Sequence, residues 1–118
     1  MTTKVIDGVL WYAICKSHDV VERRGFRVEF DSEHDVALFR VDGIVRAISN
    51  VCPHKRASMM FDGFVDQGTV RCPLHGWTYR ICTGENVAGG RNITTYDVRE
   101  EAGFVWMREP DPLLRFEM

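Results

Sequence analysis

Apolar and polar positions alternate along much of the chain with the two-residue period of a strand, and nowhere does the pattern lengthen into a sustained helical one. In "GFRVEF" the alternation puts Phe26, Val28 and Phe30 on one face and Arg27 and Glu29 on the other, which predicts a half-buried strand. "DVALFRV" (35–41) and "IVRAIS" (44–49) flank Asp42-Gly43, a dipeptide suited to the positive φ of tight turns, and so predict a hairpin. Further short strands are predicted at "LWYAIC" (10–15), "GTVRC" (68–72), "WTYRI" (77–81), "TTYDVRE" (94–100) and "FVWMR" (104–108). They are separated by turn signals at Gly68, Thr83-Gly84, Gly89-Gly90 and Glu101-Ala102-Gly103. Residues 17–22 predict at most one helical turn, with Ser17 as its cap. Short strands at this spacing predict an all-β domain, an antiparallel sandwich or partly closed barrel. Residues 1–118 read as one domain without linker or low-complexity tract.

Composition narrows the class. Hydrophobic residues make up 45% of the chain and charged residues 27%, the balance of a folded protein with a real core. The net charge is −2, and the basic and acidic residues are intermixed, so no basic stripe is available for a phosphate backbone and nucleic acid is not an expected partner. The apolar run Val9 to Cys15 is too short for an export signal or a membrane span. Four cysteines without a secretory signal point to reduced thiols, which predicts a soluble protein in the cytoplasm.

The cysteines and histidines carry the chemistry. Cys52-Pro53-His54 and Cys72-Pro73-Leu74-His75 form two pairs, each at the end of a predicted strand. Proline fixes φ and removes an amide donor, so each strand stops there and turns into a loop; the two loops can then face one another across a shared site. Two thiolates and two imidazoles suit a metal centre, and by number alone they also suit tetrahedral zinc. Usual zinc fingers pair Cys with Cys and His with His, whereas each loop here holds one of each.

This mixed pattern, with the extension "CPLHGWTY", resembles the Rieske family of ferredoxins and oxygenases, most sharply over 50–79 and more loosely from Trp11 to Met107. The resemblance implies a sandwich or partly closed barrel carrying a small cluster-binding subdomain with its loops at about 50–79. It also implies a [2Fe–2S] cluster with Cys52 and Cys72 on one iron and His54 and His75 on the other. Neutral imidazoles leave the oxidised cluster without formal charge, which eases the entry of an electron, and each ring keeps an outward nitrogen that can carry a proton. High-potential members of the family have two extra loop cysteines and a serine after the second motif's glycine. Ala57, Leu74 and Trp77 stand at those positions here, which predicts a potential at the lower end of roughly −150 to +300 mV, with Tyr79 as a remaining donor to a cysteine sulfur.

Other residues read more simply. Cys15 and Cys82 are expected to be buried, inert thiols, and His18 and His34, in "KSHDV" and "SEHDV", to be surface side chains. Trp77 is expected to pack under the cluster. Lys55 and Arg56 follow His54 and are candidates for steering an acidic partner.

The implied function is a one-electron carrier between a reductase and an oxygenase or related enzyme. Its alternatives are the small Rieske subunit of an assimilatory nitrite reductase and, from another class, a zinc-bound interaction module. A complete Rieske oxygenase needs two more histidines and a carboxylate for a non-haem iron, and only His18 and His34 are left, far apart in polar segments. No Gly-rich nucleotide motif is present, so direct hydride uptake is not expected. The chain is therefore expected to serve as an electron-transfer component with no catalysis of its own.

Overall fold

The computed structural model describes residues 2–53, 57–74 and 76–110. Its strands are β1 (Thr3–Ile6), β2 (Val9–Lys16), β3 (Phe26–Glu29), β4 (Asp35–Val41), β5 (Ile44–Ser49), β6 (Phe64–Asp66), β7 (Thr69–Arg71), β8 (Thr78–Arg80), β9 (Thr95–Tyr96), β10 (Val98–Glu101) and β11 (Phe104–Arg108). They form three antiparallel sheets, ordered β1-β2-β11-β10, β3-β4-β5-β9 and β6-β7-β8. The all-β expectation holds in its sandwich form; among the described residues the sheets stay separate and do not close into a barrel.

The central layer is set by β4. Its residues Val36 to Phe39 are all buried, yet successive side chains leave on opposite faces. Val36 and Leu38 enter a core with Val20, Val45, Ala47, Val105 and Met107. Ala37 and Phe39 enter a second core with Ile48, Cys52, Met60, Val70, Cys72, Tyr79, Ile81 and Ile93. The first core glues the two four-stranded sheets together. The second fastens the small sheet, and with it both Cys-Pro loops, to the other side of the middle layer. A strand covered on both faces reads as a continuous apolar run, which is what "VALF" is.

Four hairpins turn on two residues that both have positive φ: Asp7-Gly8, Asp42-Gly43, Gln67-Gly68 and Ala102-Gly103. This geometry matches the twist of the flanking strands and requires glycine at little cost in the second place. The first of them makes β1, a strand the alternation pattern did not bring out.

Two local expectations are corrected. The helical turn is a 3-10 turn covering only Ser17–Asp19, and its cap residue is Lys16 and not Ser17, because the Asp19 carboxylate accepts the Lys16 amide at 3.1 Å. Beyond it Glu22 leaves the turn to bridge Arg40. The "TTYDVRE" segment is not one strand: β9 pairs with β5 in the middle sheet, and after Asp97 β10 pairs with β11 in the outer one. The chain changes sheets at that corner, so one run of strand-forming residues serves both layers.

Candidate metal centre

The two Cys-Pro segments are built alike. Val51 bridges Ser58 across the first, and Arg71 pairs with Thr78 across the second, so the spans 52–57 and 72–77 are hairpin loops of equal length. In each, the cysteine amide donates to the carbonyl five residues on, Cys52 to Ala57 at 3.0 Å and Cys72 to Trp77 at 2.8 Å. The second loop is tightened by the Gly76 amide, which donates to the Cys72 carbonyl at 3.0 Å. Gly76 has φ +74°, a conformation that other residues take up only with strain.

Asn50 anchors the first loop, and sequence reasoning passed it over. It is wholly buried; its amide donates to the Asp35 carbonyl at 2.8 Å, and its carbonyl and side-chain Oδ1 accept the amides of Met60 at 3.0 Å and Phe61 at 2.7 Å. Both ends of the loop are thus tied to β4 and to the following 3-10 turn. The signal was there, since an amide at the end of the apolar "AIS" run invites the question of what pairs it.

Cys52 and Cys72 are 0% and 1% exposed and belong to the same core. Around them stand Met60, Val70 and Ile81, and the Tyr79 hydroxyl lies 3.9 Å from Cys52 Sγ. Burial pushes the Tyr79 phenol well above its usual range, and the negative sulfurs of Cys52 and Cys72 push it further the same way. The phenol therefore stays neutral and keeps its proton as a donor toward sulfur. Trp77 is half-buried and packs on this core, while Leu74 in the same loop is exposed.

His54, Lys55, Arg56 and His75 lie outside the described residues. Among the described residues no group of three or more metal-ligating side chains is assembled, so the arrangement there amounts to two buried sulfurs in one core. Two soft donors shut away from water, on matched loops with a neutral hydroxyl aimed at one of them, suit the sulfur end of an iron–sulfur centre.

Two other expectations do not hold. Cys82 is exposed, because it lies in the turn at 81–83 after β8, outside the small sheet's inner face. Cys15 is half-buried, and burial, with Asp19 and Glu100 nearby, pushes its thiol up to about 12, which agrees with an inert group. His34 is not a surface side chain; it is 6% exposed. The loop after β3 folds it back so that Nδ1 meets Asp31 Oδ1 at 2.8 Å and its ring sits edge-on to Phe30 and Tyr96. His18 is exposed as expected.

Comparison with known proteins agrees with this reading. The family profile described as Rieske [2Fe-2S] domain matches residues 10–97. The chain is 38% identical over 103 residues to the ferredoxin component of the naphthalene 1,2-dioxygenase system of Pseudomonas aeruginosa, covering 86% of this chain and 91% of that protein. Among solved structures it is similar to the Sphingomonas yanoikuyae B1 ferredoxin, with TM-score 0.75 and 31% identity over 84% of this chain and 98% of the other. It is also similar to an NADH-dependent nitrite reductase small subunit from Mycobacterium tuberculosis, with TM-score 0.76 and 27% identity over 86% and 96%.

The chain belongs to the Rieske [2Fe-2S] family. Its relatives of matching length include ferredoxin components, and the cofactor that defines the family is a Rieske-type [2Fe–2S] cluster.

Proposed function

We propose that this protein is a ferredoxin that takes one electron from a reductase and delivers it to an oxygenase, with Cys52, His54, Cys72 and His75 holding its cluster. The observation that carries the reading is the matched pair of hairpin loops, each delivering a buried cysteine to one core. When bound, the cluster supplies a one-electron couple, and its two thiolates and two neutral imidazoles favour acceptance of an electron over a four-thiolate set. The chain's own residues do the rest. Val70, Met60 and Ile81 exclude water from the sulfur end, Tyr79 holds a proton toward Cys52, and the Asn50 hydrogen bonds keep the first loop in place.

The segment that bears the loops is the basic part of an otherwise acidic chain: Lys55, Arg56, Arg71, Arg80 and Arg91 face only Asp62, Asp66 and Glu85 in the sequence from 50 to 96. Such an excess steers an acidic partner toward the cluster end, with Lys55 and Arg56 closest to the first motif. No described helix is long and apolar enough to cross a membrane, and the reading includes a cytoplasmic site of action.

A coulometric titration of the anaerobically purified holoprotein tests the reading. One electron per chain, taken up and released reversibly, is expected; a protein that accepts none is not a carrier. The likeness to a nitrite reductase small subunit favours a second reading, a subunit of such a reductase. Isolation from the native host separates the two, since a subunit co-purifies with a large reductase chain and a carrier does not.

A further inference from the structure

We propose that Arg71 is a positioning residue for the second ligand loop whose charge sets the reduction potential of the cluster; this rests on the cluster reading above. Arg71 ends β7 and precedes Cys72, and its side chain folds back over the loop that Cys72 begins. A Cβ placed on Gly76 would meet Arg71 Nη2 at 2.9 Å, Nε at 3.0 Å and Cζ at 3.4 Å. The guanidinium therefore lies against Gly76, in space that a Cβ there would crowd. The residue's absent side chain thus serves two purposes, the left-handed turn and the seat for a cation.

On the outer face of the small sheet Arg71 stands in register between Phe64 and Thr78, neither of which bears a charge. Among the described residues no carboxylate forms an ion pair with it, whereas Arg80, one row further along the same face, is paired with Glu85 at 3.0 Å. Of the two arginines on this face, the one against the second loop has no carboxylate partner among the described residues, and the paired one lies a row away.

A cation held beside a redox centre favours the state with the more negative charge. With two thiolates and two neutral imidazoles the oxidised cluster is formally uncharged and the reduced one carries an extra negative charge, so Arg71 stabilises the reduced state and raises the potential. Because Arg71 is exposed, the effect is partly screened and must weaken with salt.

The test uses the holoprotein of wild type, R71K, R71Q and R71E, with the midpoint potential read by EPR-monitored titration at low and high ionic strength. The expected order is wild type and R71K highest, R71Q lower and R71E lowest, with the spread narrowing as salt is added. A purely structural role would disturb stability or the EPR line shape and would not order the potentials by charge. If R71E does not retain its cluster, R71K against R71Q decides alone. Equal potentials for R71K and R71Q, or an R71E value at or above that of R71Q, overturn the proposal while leaving the carrier reading intact. A wild-type protein with no reversible one-electron couple overturns both.

Discussion

Replacing Tyr79 with phenylalanine isolates a single hydrogen bond to the sulfur end of the site. The ring is fully buried and keeps its packing, so what is lost is the hydroxyl 3.9 Å from Cys52 Sγ. A hydrogen bond to a charged acceptor contributes about 1.5–3 kcal/mol, and the long contact here argues for a value below that range, about 1 kcal/mol, as the difference between the two redox states. Since 1.4 kcal/mol corresponds to about 59 mV for one electron, the midpoint potential of Tyr79→Phe should fall by roughly 40 mV. The direction follows from charge, because reduction makes the sulfurs better acceptors and the donor helps the reduced state more. Spectroelectrochemical titration of both holoproteins in one buffer measures it. A potential that stays put or rises would show that the phenol does not donate to the ligand sulfur, and the reasoning from burial and contact would be wrong.

Asn50→Leu removes the acceptor of the half-buried Phe61 amide at the base of the first loop and should cost about 1–3 kcal/mol, read as a lowered denaturant midpoint. Alkylation of the native holoprotein with iodoacetamide at mildly alkaline pH should label Cys82 and spare Cys15, whose thiol stays protonated until about pH 12; mass spectrometry of the peptides decides. Burial pushes the Asp35 carboxyl up, but the Arg27 guanidinium, at 2.9–3.2 Å, together with hydrogen bonds from Asn50 and Ser58 outweighs it and holds the folded value below the usual one. Its ion pair therefore stabilises the fold fully above about pH 4 and loses that contribution as pH falls through the folded value. The stability gap between wild type and Asp35→Asn should close on acidification; a gap that persists at low pH contradicts this. The absence of the extra cysteines and serine predicts an absolute potential in the lower half of roughly −150 to +300 mV, as an electrochemical measurement will show.

Much of the architecture was legible because strand alternation and turn chemistry agree. Phe26 and Val28 face the core as the pattern required, and Asp42-Gly43 makes the tight turn its sequence announces. Asp7-Gly8 carries the same signal, yet β1 was missed, since Thr3–Ile6 is short and its flanking alternation brief. The break at Asp97 was invisible for a different reason. Both halves of "TTYDVRE" suit strands, and only the arrangement of two sheets in space forces the chain to leave one for the other. His34 shows the limit of reading neighbours, because polar sequence surroundings say nothing about a loop that folds back onto Phe30 and Tyr96. The cysteine half of the site was readable from Cys-Pro at two strand ends. The support beneath it was harder to read, for Asn50 and Arg71 act through contacts with residues distant in space or through the absence of a side chain at Gly76.

Iron and acid-labile sulfide analysis of anaerobically purified protein, with the low-temperature EPR spectrum of the dithionite-reduced sample, tests the central claim most directly. The account predicts iron and sulfide in equal amounts, two of each per chain, and a spectrum typical of an iron pair with mixed sulfur and nitrogen ligands. A colourless protein that binds one zinc and no sulfide would contradict it.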